Sequence, residues 1–235
     1  MLKDKCKKSH LEPTHGFSWD KTREKEMTMR NPKWNLFLVA LALAAAISLA
    51  AGAPSAAATW GVDQAHTEVN FSVKHFFTPV SGSFEEFEIV LDYDAENPSK
   101  STVDVKIPVA SINTGNEKRD THLRSGDWFE ADKYPYITFT SNSVKANGNG
   151  QLVARGKLTI KGESRDVDLP IKLLGTKEIP EQMQQMLGGS KEVASFKAST
   201  SIDRGDFGVG VGNWAATMVV GGDVKIEILL EAHRK

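Results

Sequence analysis

From Trp60 to the C terminus, hydrophobic and polar residues alternate in short runs. Val69, Phe71 and Val73 are separated by polar residues in the first run, and residues 224–228 alternate in the same way in the last. A period of two places successive side chains on opposite faces of a β-strand, so each run predicts a strand with one apolar face and one solvated face. Such strands pair in antiparallel sheets, because buried parallel strands have continuous apolar runs.

Turn signals separate these runs. They occur at Asn97-Pro98, in the Asn/Gly cluster of residues 147–150, at Lys161-Gly162 and at Gly221-Gly222. The Asn/Gly cluster predicts a hairpin between residues 144–146 and 152–154. The runs add up to eight or nine strands, which indicates a β-sandwich or a barrel, and only a closed barrel removes the exposed edges.

Two segments interrupt the alternation. Residues 114–126 predict a helix that begins with a capping box, Thr114 and Glu117, and ends at Gly126. Leu123 is the only large aliphatic residue in it, which is typical of a surface helix. Residues 179–187 predict a short second helix, whose Met183, Met186 and Leu187 would share a face and cover one end of the domain.

The segment before Trp60 has the form of a secretory signal. Arg30 and Lys33 precede an apolar run of 16 residues, 36–51, and three alanines at positions 56–58 provide a cleavage site. The run is shorter than the ~20 residues that a transmembrane helix needs. We therefore expect cleavage after Ala58, a periplasmic domain of residues 59–235, and translation that starts at Met1, Met27 or Met29.

Cysteine content and charge exclude several functional classes. The single cysteine, Cys6, lies in the expected leader, which leaves no cysteine for a disulfide, a thiolate metal site or a lipid anchor after it. Nine of the 29 basic and five of the 30 acidic residues lie in residues 1–58, so the remaining domain has a net charge of −5. A nucleic-acid binder usually has a basic stripe, and we therefore expect no nucleic-acid partner.

The polar residues of the predicted helix are the main candidates for chemistry. Arg119, His122 and Arg124 could contact a head group at a barrel mouth, or Asp120 and Arg124 could simply fix the helix to the rim. Ser125 lies beside His122, but no nucleophile-elbow motif surrounds it. The domain's four histidines have no metal-binding spacing. We therefore predict no enzyme activity, no cofactor and no metal site.

Residues 111–141, SINTGNEKRDTHLRSGDWFEADKYPYITFTS, carry the most specific signature of the chain. Three further motifs follow the same order as in a known family: residues 60–75, residues 156–169, and IDRGDFG at 202–208. Together they resemble the YceI-like polyisoprenoid-binding family over about residues 60–232. Residues 178–194 depart from that family's pattern, which leaves the shape of that end of the domain open.

The resemblance implies an all-β fold, an extended eight-stranded antiparallel lipocalin-like barrel with one surface helix near its mouth. It also implies that an isoprenoid lipid, such as a polyprenyl phosphate or an isoprenoid quinone, binds in the interior, with transient membrane-surface contact. The alternative is a stress-response or partner-binding barrel whose interior is filled by side chains, because apolar alternation alone fits both.

The candidate residues follow from these implications. The apolar rows that would line the lipid are Val69, Phe71, Val73, Phe87, Ile89, Leu91, Val105, Ile107, Ile137, Phe139, Leu158, Ile160, Leu169, Ile171, Ile226 and Ile228. The residues that would meet a head group or form the mouth are Arg119, His122, Arg124, Trp128, Arg204 and Phe207.

Overall fold

The computed structural model of the protein describes residues 58–215 and 218–235, with side chains from Trp60 onward. The expected leader of residues 1–58 lies outside these residues, apart from the backbone of Ala58, so its cleavage and the start of translation stay predictions. Within the described ranges, no helix is long and apolar enough to cross a membrane.

Nearly all regular structure in the described part is β-strand, and every strand pairing is antiparallel. The strands are β1 (Ala58–Val62), β2 (Glu68–His75), β3 (Thr78–Phe84), β4 (Glu88–Tyr93), β5 (Thr102–Pro108), β6 (Ile112–Asn113), β7 (Tyr136–Gly148), β8 (Gln151–Ile160), β9 (Glu163–Glu178), β10 (Glu192–Asp203) and β11 (Val220–Arg234).

The strands close into an eight-stranded barrel, as predicted, and the sandwich alternative is wrong. β1 and β2 form one interrupted strand, as do β3 with β4 and β5 with β6, which reduces the eleven segments to eight. The barrel closes where β11 pairs with both β1 and β2, in registers such as Gly61 with His233 and Val69 with Ile228. We call this junction the seam.

Local turn chemistry agrees with the sequence prediction at the β7–β8 and β8–β9 turns, whereas Gly221-Gly222 lies inside β11, at an irregularity of its pairing with β2. The Asn/Gly cluster joins β7 to β8, and Val144 pairs with Ala154 across that hairpin. At the β8–β9 turn, Lys161 and Gly162 have φ values of 50° and 80°. Positive φ at both central residues is the type I′ geometry, which matches the twist of the flanking strands.

The surface helix forms, but its boundaries differ from the prediction. Helix α1 spans Glu117–Arg124, and its N-cap is Asn116, whose side chain accepts a hydrogen bond from the Arg119 backbone N–H at 3.0 Å. Thr114 is therefore not the cap. Its backbone N–H donates to the Asp120 carboxylate at 3.0 Å instead, which turns the chain from β6 into α1.

The second predicted helix is much shorter than expected and does not cover the core. Helix α2 has four residues, Glu181–Gln184. Met183 and Met186 are 44% and 74% exposed, whereas Ile179, just before the helix, is buried. A single turn cannot hold three side chains against the barrel, so the apolar residue that anchors this segment is Ile179.

Aromatic residues fill the barrel end that lies away from α1. The ring centroids of Trp60 and Tyr93 are 5.9 Å apart, and those of Tyr93 and Phe196 are 5.1 Å apart. The Trp60 indole N–H donates to the Tyr93 carbonyl at 3.1 Å. Ala194 and Ala232, which face each other across β10 and β11, are fully buried beside this cluster. The interior is therefore more open toward α1.

Candidate functional site

The barrel interior contains two cavities with apolar walls. The larger cavity has a volume of about 160 Å³, and its wall includes Phe71, Ile107, Leu123, Phe139 and Ile226. The smaller cavity has a volume of about 70 Å³, and its wall includes Leu91, Tyr93 and Phe196. The inward rows of the alternating strands therefore enclose empty space as well as packed side chains.

The two cavities follow one another along the barrel axis. On β5, on β9 and on β11, residues toward one end of the strand line the larger cavity and residues toward the other end line the smaller one. Val105, Leu169 and Ile228 line both cavities. We call these three residues the waist, because only their side chains and their neighbours separate the two spaces.

The structure brings the predicted lining residues together around these cavities. Ile89, Leu91 and Ile171 line the smaller cavity, whereas Phe87 lies in the buried core and lines neither. All the others line the larger cavity: Val69, Phe71, Val73, Val105, Ile107, Ile137, Phe139, Leu158, Ile160, Leu169, Ile226 and Ile228.

Sequence reasoning missed part of the wall. Val167 and Val224 lie in the same alternating rows as Leu169 and Ile226, so periodicity alone could have found them. Leu123 and Phe129 come from α1 and the turn after it. No strand periodicity marks these two, and only the way the helix segment packs on the barrel places them.

That segment covers the larger cavity. Leu123, Trp128 and Phe129 line the cavity from the α1 side, and Phe207 and Val209 line it from the loop after β10. Trp128 is buried, and its ring centroid lies 5.7 Å from that of Trp214. α1 and its following turn therefore act as a cover held by aromatic contacts, although α1 itself has a polar surface.

Arg204 fastens this cover to the barrel. The side chain is only 6% exposed, and its guanidinium carbon lies 5.3 Å from the centre of the Trp128 ring. Its Nε donates to the Gly221 carbonyl at 2.9 Å, its Nη1 to the carbonyls of Val209 and Gly210, and its Nη2 to those of Trp214 and Val220. A guanidinium has five N–H donors, so none remains for a ligand.

Burial lowers the pKa of the Arg204 guanidinium, and the carboxylate of Asp203 opposes that shift. Arginine stays protonated in proteins because its ordinary pKa lies far above neutral pH. The buried charge is therefore balanced by the carbonyl oxygens that it binds. Gly210 is part of this arrangement: its φ is +60°, and a Cβ atom there would lie 2.6 Å from the Trp128 ring.

The other predicted mouth residues lie on α1, within the cover, and line neither cavity. Arg119 donates from Nε to the Thr114 hydroxyl at 2.7 Å and from Nη2 to the Thr114 carbonyl at 2.8 Å. His122 packs on Trp214 with ring centroids 5.1 Å apart. Arg124 reaches the Ala110 carbonyl at 3.4 Å. Arg119 and Arg124 thus tie α1 to the residues after and before β6, and His122 ties it to the loop before β11.

Asp120 and Arg124, which lie one turn apart on α1, do not bond to each other. Asp120 is buried and bonds Thr114, so it pairs with neither Arg124 nor His122. His122 Nε2 instead lies 3.2 Å from the Asp127 carboxylate. Ser125 donates its hydroxyl proton to the His122 backbone carbonyl at 2.7 Å. This arrangement does not hold the serine against a base.

The sequence matches the YceI-like domain over residues 60–232. The chain belongs to the YceI-like family. It is 35% identical over 168 residues to protein YceI of Shigella flexneri, an alignment that covers 70% of this chain and 83% of that protein. The cavities and their cover thus lie entirely within a recognised family domain.

Two solved structures support the same fold. BcnA of Burkholderia cenocepacia is 28% identical, with a TM-score of 0.65 over 72% of this chain and 98% of the other. A polyisoprenoid binding domain of Saccharophagus degradans, implicated in plant cell wall breakdown, has a TM-score of 0.54 over 76% of this chain and 99% of the other. Because this domain is only 13% identical to the chain, the comparison shows that the two share a fold and nothing beyond it.

Replacing Arg204 with lysine tests whether it holds the cover. Lysine provides three donors on a flexible stem and would leave buried carbonyls unpaired, so we expect Arg204→Lys to lower the free energy of unfolding by about 2 kcal/mol or more. Arg155→Lys, on the exposed face of β8, should change it by less than about 0.5 kcal/mol. Urea unfolding measures both, and equal stability of the two variants would contradict the role assigned to Arg204.

Proposed function

We propose that this protein binds an isoprenoid lipid, of the polyprenyl phosphate or isoprenoid quinone type, with its prenyl chain along the barrel axis. The observation that carries the proposal is the pair of apolar cavities in series, covered at one end and filled with aromatic rings at the other. Membership of the YceI-like family supports it, and so does the fold shared with the polyisoprenoid binding domain of S. degradans.

The free energy of binding would come from burial of the prenyl chain of the lipid. Each buried methylene contributes ~0.8 kcal/mol, so one five-carbon isoprene unit gains about 3–4 kcal/mol before ordering costs. A few units would give tight binding without a strong polar contact. Affinity should then rise with chain length, and polar groups at the covered end would set the orientation.

Accommodating a long chain requires the interior to widen. Ligand pockets usually have volumes of about 300–1,000 Å³, and the cavities of about 160 and 70 Å³ are smaller. A rotation of the waist side chains Val105, Leu169 and Ile228 would join the two spaces. The waist is thus the point at which short and long prenyl chains would be distinguished, because only a long chain would pass it. The alternative, a barrel filled by side chains, provides no reason for a cavity on each side of the waist.

The head group would lie at the covered end. Trp128 lines the larger cavity, and its indole N–H is buried without a hydrogen-bond partner among the described residues. A phosphate or quinone oxygen would provide the acceptor that this donor needs. Arg204 has no donor to spare, so we assign it to the cover and assign the head group to Trp128, with Arg119, His122 and Arg124 near the rim.

We infer that the protein carries or stores this lipid in the periplasm and performs no chemistry on it. The secretory signal predicted over residues 30–58 supports the location. The occupied hydrogen bonds of Ser125, His122 and Asp120 support a binding role over catalysis. Recovery of the chain in the cytoplasm with residues 1–58 attached would contradict the location.

Filling the waist tests the proposed lipid path. Val105→Phe should leave the binding of a short prenyl chain intact and weaken that of a long one by at least about tenfold, because a long chain loses the burial of one or more units. The matched control is Val90→Phe, since Val90 lies on the adjacent strand β4 and is 55% exposed. Binding is measured by fluorescence titration of delipidated protein with prenyl alcohols of increasing length. Equal affinity of the natural protein for short and long chains would contradict the proposal.

We also propose that the β2–β3 hairpin tip contacts the bilayer from which the lipid is taken. Phe76 and Phe77 at this tip are 52% and 95% exposed. Phe76 has a φ of 52°, a conformation that bulky residues rarely adopt. Its backbone N–H donates to the Val219 carbonyl at 2.8 Å, and the nearby Val73 and Val220 line the larger cavity. The tip therefore borders the larger cavity.

Charge favours a membrane surface as the partner of this tip. Residues 74–82 include Lys74 and His75 and contain no Asp or Glu, within a domain that is acidic as a whole. A protruding pair of phenylalanines beside basic groups suits the interface of an anionic bilayer, where apolar burial and attraction to lipid phosphates add together.

The tip proposal predicts a change in transfer rate. Phe77→Ser should slow the uptake of a fluorescent prenyl lipid from anionic vesicles by about tenfold, because one exposed phenylalanine loses its burial in the interface. Leu174→Ser is the control, since Leu174 is 52% exposed on β9. Affinity for a soluble prenyl alcohol should not change in either variant. Equal uptake by the natural protein and Phe77→Ser would contradict the contact.

A further inference from the structure

A second polar cluster lies at the seam, outside the lipid path. Glu231 and His233 flank the fully buried Ala232 on β11, so both project from the outer face of the barrel. Asp63, at the junction between β1 and β2, meets them there. His233 Nε2 lies 3.1 Å from Glu231 Oε1 and 3.8 Å from Asp63 Oδ2, and one ligand atom from each residue lies within 4.8 Å of the others.

The orientation of His233 is fixed by a buried serine. Ser190 is 3% exposed and donates its hydroxyl proton to the Leu187 carbonyl at 2.7 Å. Its oxygen therefore accepts from His233 Nδ1, which lies 3.2 Å away. This leaves Nε2 facing two carboxylate oxygens, neither of which can donate a hydrogen bond when ionised. One imidazole nitrogen and two carboxylate oxygens that converge in this way form a set of ligand atoms that suits a metal cation.

Asp63 directs one carboxylate oxygen, Oδ2, toward His233. Its Oδ1 accepts from the Ala65 backbone N–H at 2.9 Å, which fixes the carboxylate at the start of a short 3-10 turn. Its Oδ2 faces His233 and also lies 2.9 Å from His66 Nδ1. His66 is 67% exposed and already lies beside Asp63, so a change of its side-chain rotamer would be needed for it to provide a fourth ligand.

We propose that Asp63, Glu231 and His233 bind a divalent transition-metal ion, with Zn²⁺ the best match. Zinc takes His nitrogen at about 2.0–2.1 Å and carboxylate oxygen at about 2.0–2.2 Å in tetrahedral sites. An imidazole ligand favours zinc over Mg²⁺ or Ca²⁺, which prefer oxygen alone. In such sites the second ring nitrogen of a ligating histidine usually forms a hydrogen bond that orients the ring, and the hydrogen bond from His233 Nδ1 to Ser190 is of this kind.

The spacing of the histidines along the chain gives no sign of this cluster. Asp63 and His66 come from the first strand junction and Glu231 and His233 from the last strand, and only barrel closure brings them together. An ion bound there would tie β11 to the β1–β2 junction. Because the unfolded chain does not hold these groups together, the ion would stabilise the closed barrel in proportion to its concentration.

Titration of the tag-free protein with ZnCl₂, after treatment with a chelator, tests the proposal. Calorimetry should give one ion per chain, and the melting temperature should rise with Zn²⁺ concentration. His233→Gln should weaken binding by at least about a hundredfold through loss of a ligand, and Ser190→Ala by about tenfold through loss of the outer contact. MgCl₂ should give neither heat nor a shift.

His75→Ala is the matched control, since His75 is an exposed histidine on β2 and lies outside the cluster. It should bind Zn²⁺ as the natural protein does. Asp63→Asn retains an oxygen to cap Ala65 and should bind more weakly while it stays folded by circular dichroism. The absence of stoichiometric binding by the natural protein would overturn the site, and so would equal affinity in His233→Gln and His75→Ala.

Discussion

Closure of the sheet at the seam is the constraint on which the other features depend. Once β11 pairs with β1 at one end and β2 at the other, the eight strands of the described part close on themselves and enclose a common interior. An eight-stranded barrel is just wide enough to fill with side chains or to hold one slender ligand. Which of the two occurs depends on residue sizes along the inward rows. Here Trp60, Tyr93 and Phe196 pack together at one end, whereas the larger cavity, which has both aliphatic and aromatic walls, lies toward the other end.

The open end needs a cover, and its construction explains the polar helix. α1 has too few apolar residues to pack by a continuous stripe, so Leu123 and the following Trp128 and Phe129 provide the contact with the interior. Hydrogen bonds hold the cover in place as well. Asp120 and Arg119 bond to Thr114, and Arg204 bonds to five backbone carbonyls and contacts the Trp128 ring. A cover held this way can be rigid in its backbone while its inner surface stays apolar.

The amino-acid sequence is sufficient to predict the barrel walls and insufficient to predict the barrel ends. Alternation is a local property, so it assigns Phe139, Leu158 and Ile226 to the interior without knowledge of their neighbours in space. The roles of Thr114 and Arg204 depend on hydrogen bonds that only the folded arrangement reveals. Thr114 has the sequence of a helix cap, yet the nearby Asp120 competes for it, and Asn116 takes the cap. By residue type and position, Arg204 is a candidate for binding a head group, yet backbone carbonyls accept hydrogen bonds from all its N–H donors. For the same reason, the cluster of Asp63, Glu231 and His233 forms only on closure of the barrel.

Extraction of the protein purified from its own host, without added lipid or detergent, tests the central claim most directly. The organic extract would be examined by mass spectrometry beside an extract of the Val105→Phe variant prepared in the same way. The proposed function predicts a prenyl lipid recovered in near-equimolar amount from the natural protein and in much smaller amount from the variant. Repeated preparations that yield no prenyl species, from a protein that is folded, would contradict it.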